Sequence, residues 1–160
     1  DPVGRLLDSG KFGRDSERTP MQWTGGAGAG FTTGEPWLPI GEDAGRVNVE
    51  AEQGDEGSML AFYRRLLELR RKEPALQIGS YVPAGQKKNL FGFLRELGED
   101  CFLIAVNLGS TRARLSIPRH LDVTGKVVLA TDPGRVGNEI SQYINLEPNE
   151  GLIARVKPCD

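Results

Sequence analysis

Residues 1–54 follow neither a helical nor a strand period, and that feature narrows the possible folds most. Twelve of the 21 glycines fall between Gly4 and Gly57. Segments such as Gly25-Gly26-Ala27-Gly28-Ala29-Gly30 and Glu35-Pro36-Trp37-Leu38-Pro39 mix prolines, which fix φ and remove a donor, with glycines, which are costly to order. A loop of this length inside a compact domain is uncommon and is either functional or disordered. Trp23, Phe31 and Trp37 weigh against simple disorder, because each ring has much to gain from burial. Two readings stand: a partly disordered arm, or a long ordered loop that needs a larger body to lie against.

The pattern changes at Asp55. Asp55-Glu56-Gly57-Ser58 offers N-capping side chains and negative charge at a helix start. Met59, Phe62, Tyr63, Leu66, Leu67 and Leu69 then recur near a 3.6-residue period, while Arg64, Arg65 and Glu68 occupy much of the other face. Arg70, Arg71 and Lys72 complement the negative carboxyl end, and Pro74 stops the run. One amphipathic helix over 55–73 is predicted, and its apolar face must pack on something.

Beyond Gln77 the signals are for strands. Asn89 to Arg95, Cys101 to Leu108, Arg112 to Ile117, Lys126 to Thr131, Tyr143 to Leu146 and Gly151 to Val156 are separated by Gly, Pro and Asn punctuation. Short strands at this spacing predict an antiparallel sandwich or meander. The fold class is therefore mainly β with one long helix, with a domain boundary near Ile78-Gly79.

Several function classes fall away on composition. The chain has 160 residues, fewer than the roughly 200–250 of a complete (β/α)8 barrel. Its 20 Lys and Arg against 22 Asp and Glu give no field for capturing a polyanionic polymer, so nucleic acid is not expected. The longest apolar run, Phe102 to Val106, is far short of the ~18 residues of a membrane span. No apolar h-region follows Asp1, and a soluble, cytoplasmic chain with no signal peptide is the expectation. Cys101 reads as a small buried hydrophobe and Cys159 as a free terminal thiol, too few for a disulfide framework. His120 alone, in a polar loop after Pro118, builds no zinc site, and no metal or cofactor is expected.

Chemistry-bearing motifs are equally sparse. The glycine run at 25–30 follows no strand, opens no helix and lacks a Gly-Lys-Ser/Thr ending, so it is no phosphate loop. There is no Gly-x-Ser-x-Gly elbow, and one histidine is a thin basis for a serine triad. Asp15 and Glu17 share a stretch with Arg14 and Arg18. Such cations favour ionised carboxylates, the opposite of what a general acid needs at neutral pH. A local ion-pair and turn role is expected there.

One segment is specific. Gly13-Arg14-Asp15-Ser16-Glu17-Arg18-Thr19-Pro20-Met21-Gln22-Trp23 resembles a segment of the α-amylase superfamily (glycoside hydrolase family 13), near its α-glucosidases, oligo-1,6-glucosidases and trehalose synthases. Gly30-Phe31, Pro36-Trp37-Leu38-Pro39, Asn48-Val49, Ser58-Met59-Leu60, Tyr63-Arg64-Arg65-Leu66, Leu69-Arg70-Arg71, Pro74-Ala75-Leu76 and Gly79-Ser80-Tyr81 continue it in order. The resemblance weakens in the strand-rich tail.

It implies that residues 1–54 form the long loop after the eighth barrel strand and that the helix at 55–73 is the last barrel helix. Residues 1–78 would then end a catalytic barrel, and residues 79–160 would form the family's C-terminal antiparallel β-sandwich. The family's nucleophile Asp, acid/base Glu and stabilising Asp sit upstream of this loop, so no catalytic residue carries over. Arg18, Met21 and Trp23 would shape the rim of the substrate cleft, although packing of these side chains within the loop itself is the competing reading. Relatives carry Asp after the Trp, whereas Thr24 and a glycine-rich insert stand here.

The implied function is that of the C-terminal part of a retaining α-glucosidase-type hydrolase acting on malto- or isomalto-oligosaccharides, inactive alone. The alternative is a free-standing, non-catalytic module that binds carbohydrate or protein. Its implied partners are an α-glucoside, through the parent enzyme, and a second copy through the helix face.

Overall fold

From Glu17 to Phe62 the chain is ordered mainly by individual hydrogen bonds. A computed structural model describes residues 17–157, and its contacts divide between Phe62 and Tyr63 into two units. Arg14, Asp15 and Cys159, considered above, lie outside the described residues.

In the first unit, residues 22–24 are pinned from two sides. The Trp23 and Thr24 N–H groups donate to the Ala29 carbonyl at 2.8 and 3.1 Å, and the Val49 and Glu50 N–H groups donate to the Gln22 and Trp23 carbonyls at 3.0 Å each. The Ala29 carbonyl is aimed by a left-handed run, with φ of 66°, 52° and 65° at Gly28, Ala29 and Gly30. An alanine in that region costs roughly 1–2 kcal/mol, which the two accepted hydrogen bonds offset.

The stretch 1–54 is not loop throughout. A short helix, α1 (Val49–Gln53), lies in it, capped by Asn48, whose Oδ1 accepts from Ala51 N–H at 2.9 Å while its Nδ2 donates to the Ala44 carbonyl at 2.8 Å. Five residues are too few to show a 3.6-residue repeat, which is why periodicity missed it.

The long helix, α2 (Met59–Lys72), begins four residues later than the Asp55 start expected from sequence. Ser58 is its cap: Ala61 N–H donates to Ser58 Oγ at 3.1 Å, and Leu60 N–H donates to the Glu52 carboxylate at 2.9 Å. Asp55 instead closes the preceding turn, accepting from Gly57 N–H at 2.8 Å. No residue of α2 is fully buried. Met59, Tyr63 and Leu67 are exposed, and Phe62, Leu66 and Leu69 are half-buried.

The second unit follows the β-rich expectation. After α3 (Ala75–Ile78) come β1 (Ser80–Lys87), β2 (Leu90–Leu97), β3 (Asp100–Asn107), β4 (Ala113–Ser116), β5 (Gly125–Ala130), β6 (Glu139–Ile140), β7 (Tyr143–Leu146) and β8 (Gly151–Val156). Six strands form an antiparallel sheet in the order β1-β2-β3-β8-β5-β6, and β4 pairs with β7 in a second sheet.

Leu94, Leu103, Leu152 and Ala154 from the large sheet share one buried cluster with Leu115, Ile144 and Leu146 from the small one, giving a sandwich core. On the opposite face Phe102, Ile104 and Ile153 pack with Leu69, Ala75 and Leu76. Strand β3 is therefore covered on both sides. Its uninterrupted apolar run is the pattern of a strand with no solvent face.

Two sequence expectations needed extension. Strand β1 carries Pro83 and a bulge between Pro83 and Gly85, which erase alternation; proline is tolerated because β1 is an edge strand. Strand β6 has two residues, below any pattern. Gly85 and Gly92 stand opposite each other in β1 and β2. A Cβ on either would lie 3.1 or 2.7 Å from a Leu115 methyl, so the glycine pair forms the slot that seats β4.

Candidate functional site

The residues singled out from sequence, Arg18, Met21 and Trp23, lie in the first unit on either side of buried Pro20. Arg18 is exposed, and Met21 and Trp23 keep 51% and 49% of their surface. Among the described residues no side-chain hydrogen bond joins the three. What they share is a fixed backbone: the Gln22 side chain donates to the Val47 carbonyl at 2.6 Å, beside the main-chain bonds that hold Trp23. A hydrogen-bonded backbone carrying an exposed indole presents a flat apolar face.

The rings expected to seek burial do not find it in this chain. Phe31 is 53% and Trp37 93% exposed, alongside Trp23 and Met21. Of the ordering residues, Ser58 lies in the 55–58 stretch expected to supply an N-cap, whereas Gln22, Asn48 and Glu52 were not anticipated as positioning groups. Asn48 ahead of Val49-Glu50-Ala51 is the one legible signal, an N-cap residue followed by acid in the first turn.

Retaining glycoside hydrolysis needs two carboxyl groups roughly 5–5.5 Å apart across a cleft. Of three described cavities, all in the second unit, the largest, about 760 Å³, takes in Glu139 as its one carboxylate; those of about 290 and 210 Å³ take in none. The first unit's described carboxylates other than Glu52 are exposed, and Glu52 is committed to the α2 amino terminus. No three His, Cys, Asp or Glu side chains among the described residues group as metal ligands. No described helix is long and apolar enough to cross a membrane.

Comparison with known proteins supplies the context. Residues 3–79 match the family described as alpha amylase, catalytic domain. Trehalose-6-phosphate hydrolase of Bacillus subtilis is 32% identical over 151 residues, 91% of this chain and 26% of that protein. Oligo-1,6-glucosidase of Bacillus cereus is 30% identical over 146 residues, again 91% and 26%. The crystal structure of isomaltulose synthase from Klebsiella sp. LX3 superposes with a TM-score of 0.83 at 29% identity, over 95% of this chain and 29% of that one. These place the chain among α-glucosidase-like relatives, with a β-rich region after the catalytic-domain match. The chain belongs to the α-amylase family, glycoside hydrolase family 13. It spans about a quarter of the length of the curated relatives it matches.

Proposed function

We propose that these residues are the C-terminal part of a retaining α-glucosidase-type hydrolase that acts on α-glucosides such as malto- or isomalto-oligosaccharides. In this reading residues 1–78, with the loop at 1–54 and the helix, complete a catalytic barrel, and residues 79–160 form its β-sandwich domain. The reactive carboxylates belong to barrel strands outside the chain, so it is inactive alone. Arg18, Met21 and Trp23 shape the rim of the cleft, with Trp23 stacking on a pyranose face and Arg18 donating to sugar hydroxyls. The location is cytoplasmic.

The carrying observation is the first unit itself: hydrogen-bonded in detail, yet with Met21, Trp23, Phe31 and Trp37 left at the surface. A loop ordered around exposed rings fits a surface meant to lie against a larger body. The catalytic-domain match ending at residue 79 supports the same partition. Without that body, self-association through the helix face of Met59, Phe62, Leu66 and Leu69 is expected, with Leu69 already partly covered by Ala75, Leu76 and Phe102. Sedimentation should show the isolated chain growing in mass with concentration, and a monomer at every concentration would contradict it.

The test of function is turnover. The 160-residue chain should release no glucose above background from maltose, isomaltose or p-nitrophenyl α-glucoside. In a complete enzyme carrying it, Trp23→Ala should raise KM with little change in kcat, as loss of uniform binding requires. Robust hydrolysis by the short chain would refute the reading.

A further inference from the structure

The cavity of about 290 Å³ beside the β1–β2 turn is lined by Lys87, Lys88 and Arg114, with no carboxylate in its wall. This local excess of positive charge occurs in a chain whose net charge is -2. Among the described residues, none of the three cations forms an ion pair, whereas Lys72, Arg112, Arg135 and Arg155 are each paired with a carboxylate. Cations left without counter-ions around a concavity raise the local concentration of anions.

Two further features look built. Arg114 sits over the Tyr143 ring, 4.1 Å from guanidinium carbon to centroid. A cation–π contact restrains the guanidinium, and among the described residues no carboxylate pairs with its N–H donors, which suit a bidentate oxyanion. Lys88 takes φ +54° at the first of two hairpin-loop residues, where glycine is at ease and lysine is strained. A cationic side chain kept in a strained conformation at a cavity mouth is the sort of outlier from which function is inferred.

The frame is rigid. Leu108 N–H donates to the Asn89 carbonyl at 2.8 Å, and Asn107, in the wall, donates to the Thr111 and Glu147 carbonyls at 2.9 and 2.8 Å. Thr111 and Asn89 add neutral polar groups near the mouth. The volume sits at the lower end for ligand sites, room for a phosphate and one hexose ring but not for an oligosaccharide.

We propose that this pocket, in the β-sandwich, binds a phosphate dianion borne on a small molecule of monosaccharide size. Arg114 grips two phosphate oxygens, Lys87 and Lys88 neutralise the remaining charge, and the Asn89 and Thr111 side chains meet sugar hydroxyls.

The experiment is a titration of the full 160-residue chain, followed by calorimetry and amide NMR, with inorganic phosphate, glucose 6-phosphate and glucose as probes. Glucose 6-phosphate should bind best, with shifts at residues 87–90 and 107–114, and the binding should weaken as salt rises. Glucose should leave these amides unmoved. Phosphate binding as tightly as its ester would overturn the sugar assignment, and neither binding would overturn the site. Arg114→Glu should weaken binding by about tenfold or more, the scale of a charge-assisted bidentate contact. Lys88→Gly guards against misfolding: it should raise the thermal midpoint by relieving the turn yet lower affinity. Unchanged affinity in both variants would overturn the proposal.

Discussion

The two units solve the problem of order by opposite means. From Tyr63 onward, more than twenty apolar side chains are withdrawn from water around a two-sheet core and a helix-covered face. Among the described residues from Glu17 to Phe62, Ala29 is the one buried hydrophobic residue of the core, and shape comes from capping side chains, left-handed glycines and single backbone bonds. A net hydrogen bond contributes only about 1 kcal/mol, whereas each buried core side chain contributes about 1.5–3 kcal/mol. The second unit therefore holds the apolar burial that stabilises a domain by itself, and the first needs stabilisation from outside the described residues.

Substitutions can break that comparison, beginning with the largest effect. Leu103→Ala removes a fully buried side chain at the centre of the sandwich and should cost about 2–5 kcal/mol in urea unfolding. A loss below about 1 kcal/mol would mean the core is not what holds this unit.

Asn107→Asp comes next. Asn107 is 1% exposed, and its Nδ2 donates to the Thr111 and Glu147 carbonyls while Oδ1 accepts from Gly109 N–H at 3.0 Å. A carboxylate there would face carbonyl oxygens with no proton to offer, for a loss of about 3 kcal/mol that protonation at low pH should partly recover. Gly92→Ala pushes a Cβ to 2.7 Å from Leu115 and should cost about 1–3 kcal/mol. Pairing it with Leu115→Val should recover part of the loss, which a double-mutant cycle would read.

Trp37→Ala, in contrast, should stay within about 0.5 kcal/mol of the parent chain, because a ring 93% exposed has little to lose. The smallest effect belongs to Glu68 on α2, whose carboxyl is held below its ordinary pKa by the hydrogen bond from Lys72 at 2.7 Å. A lowered folded-state pKa stabilises above the unfolded value and fades as pH falls through the folded one. Both groups are largely exposed, so Glu68→Gln should leave the melting curve unmoved at pH 7.

Legibility in sequence followed the same divide. Strands β3, β7 and β8 were readable because burial forces apolar residues into period two or into a continuous run. Strand β1 was not, since Pro83 and the bulge at Gly85 serve an edge and a slot for Leu115, and neither leaves a periodic trace. In the first unit the capping roles of Asn48 and Ser58 leave a residue-type signal, whereas the Ser58–Glu52 and Leu60–Glu52 contacts, six and eight residues apart, leave no periodic trace. Arg18, Met21 and Trp23 were picked out by the Arg-Thr-Pro-Met-Gln-Trp resemblance, and no local spacing would have marked them.

Hydrogen exchange on the isolated chain probes the contrast most directly. Amides of β3 and β8 should be protected to the level of global unfolding, whereas those of Trp23, Thr24, Val49 and Glu50 should exchange within seconds to minutes despite their hydrogen bonds. Equal protection in both units would contradict the account, since the first would then be stable without the barrel it is proposed to complete.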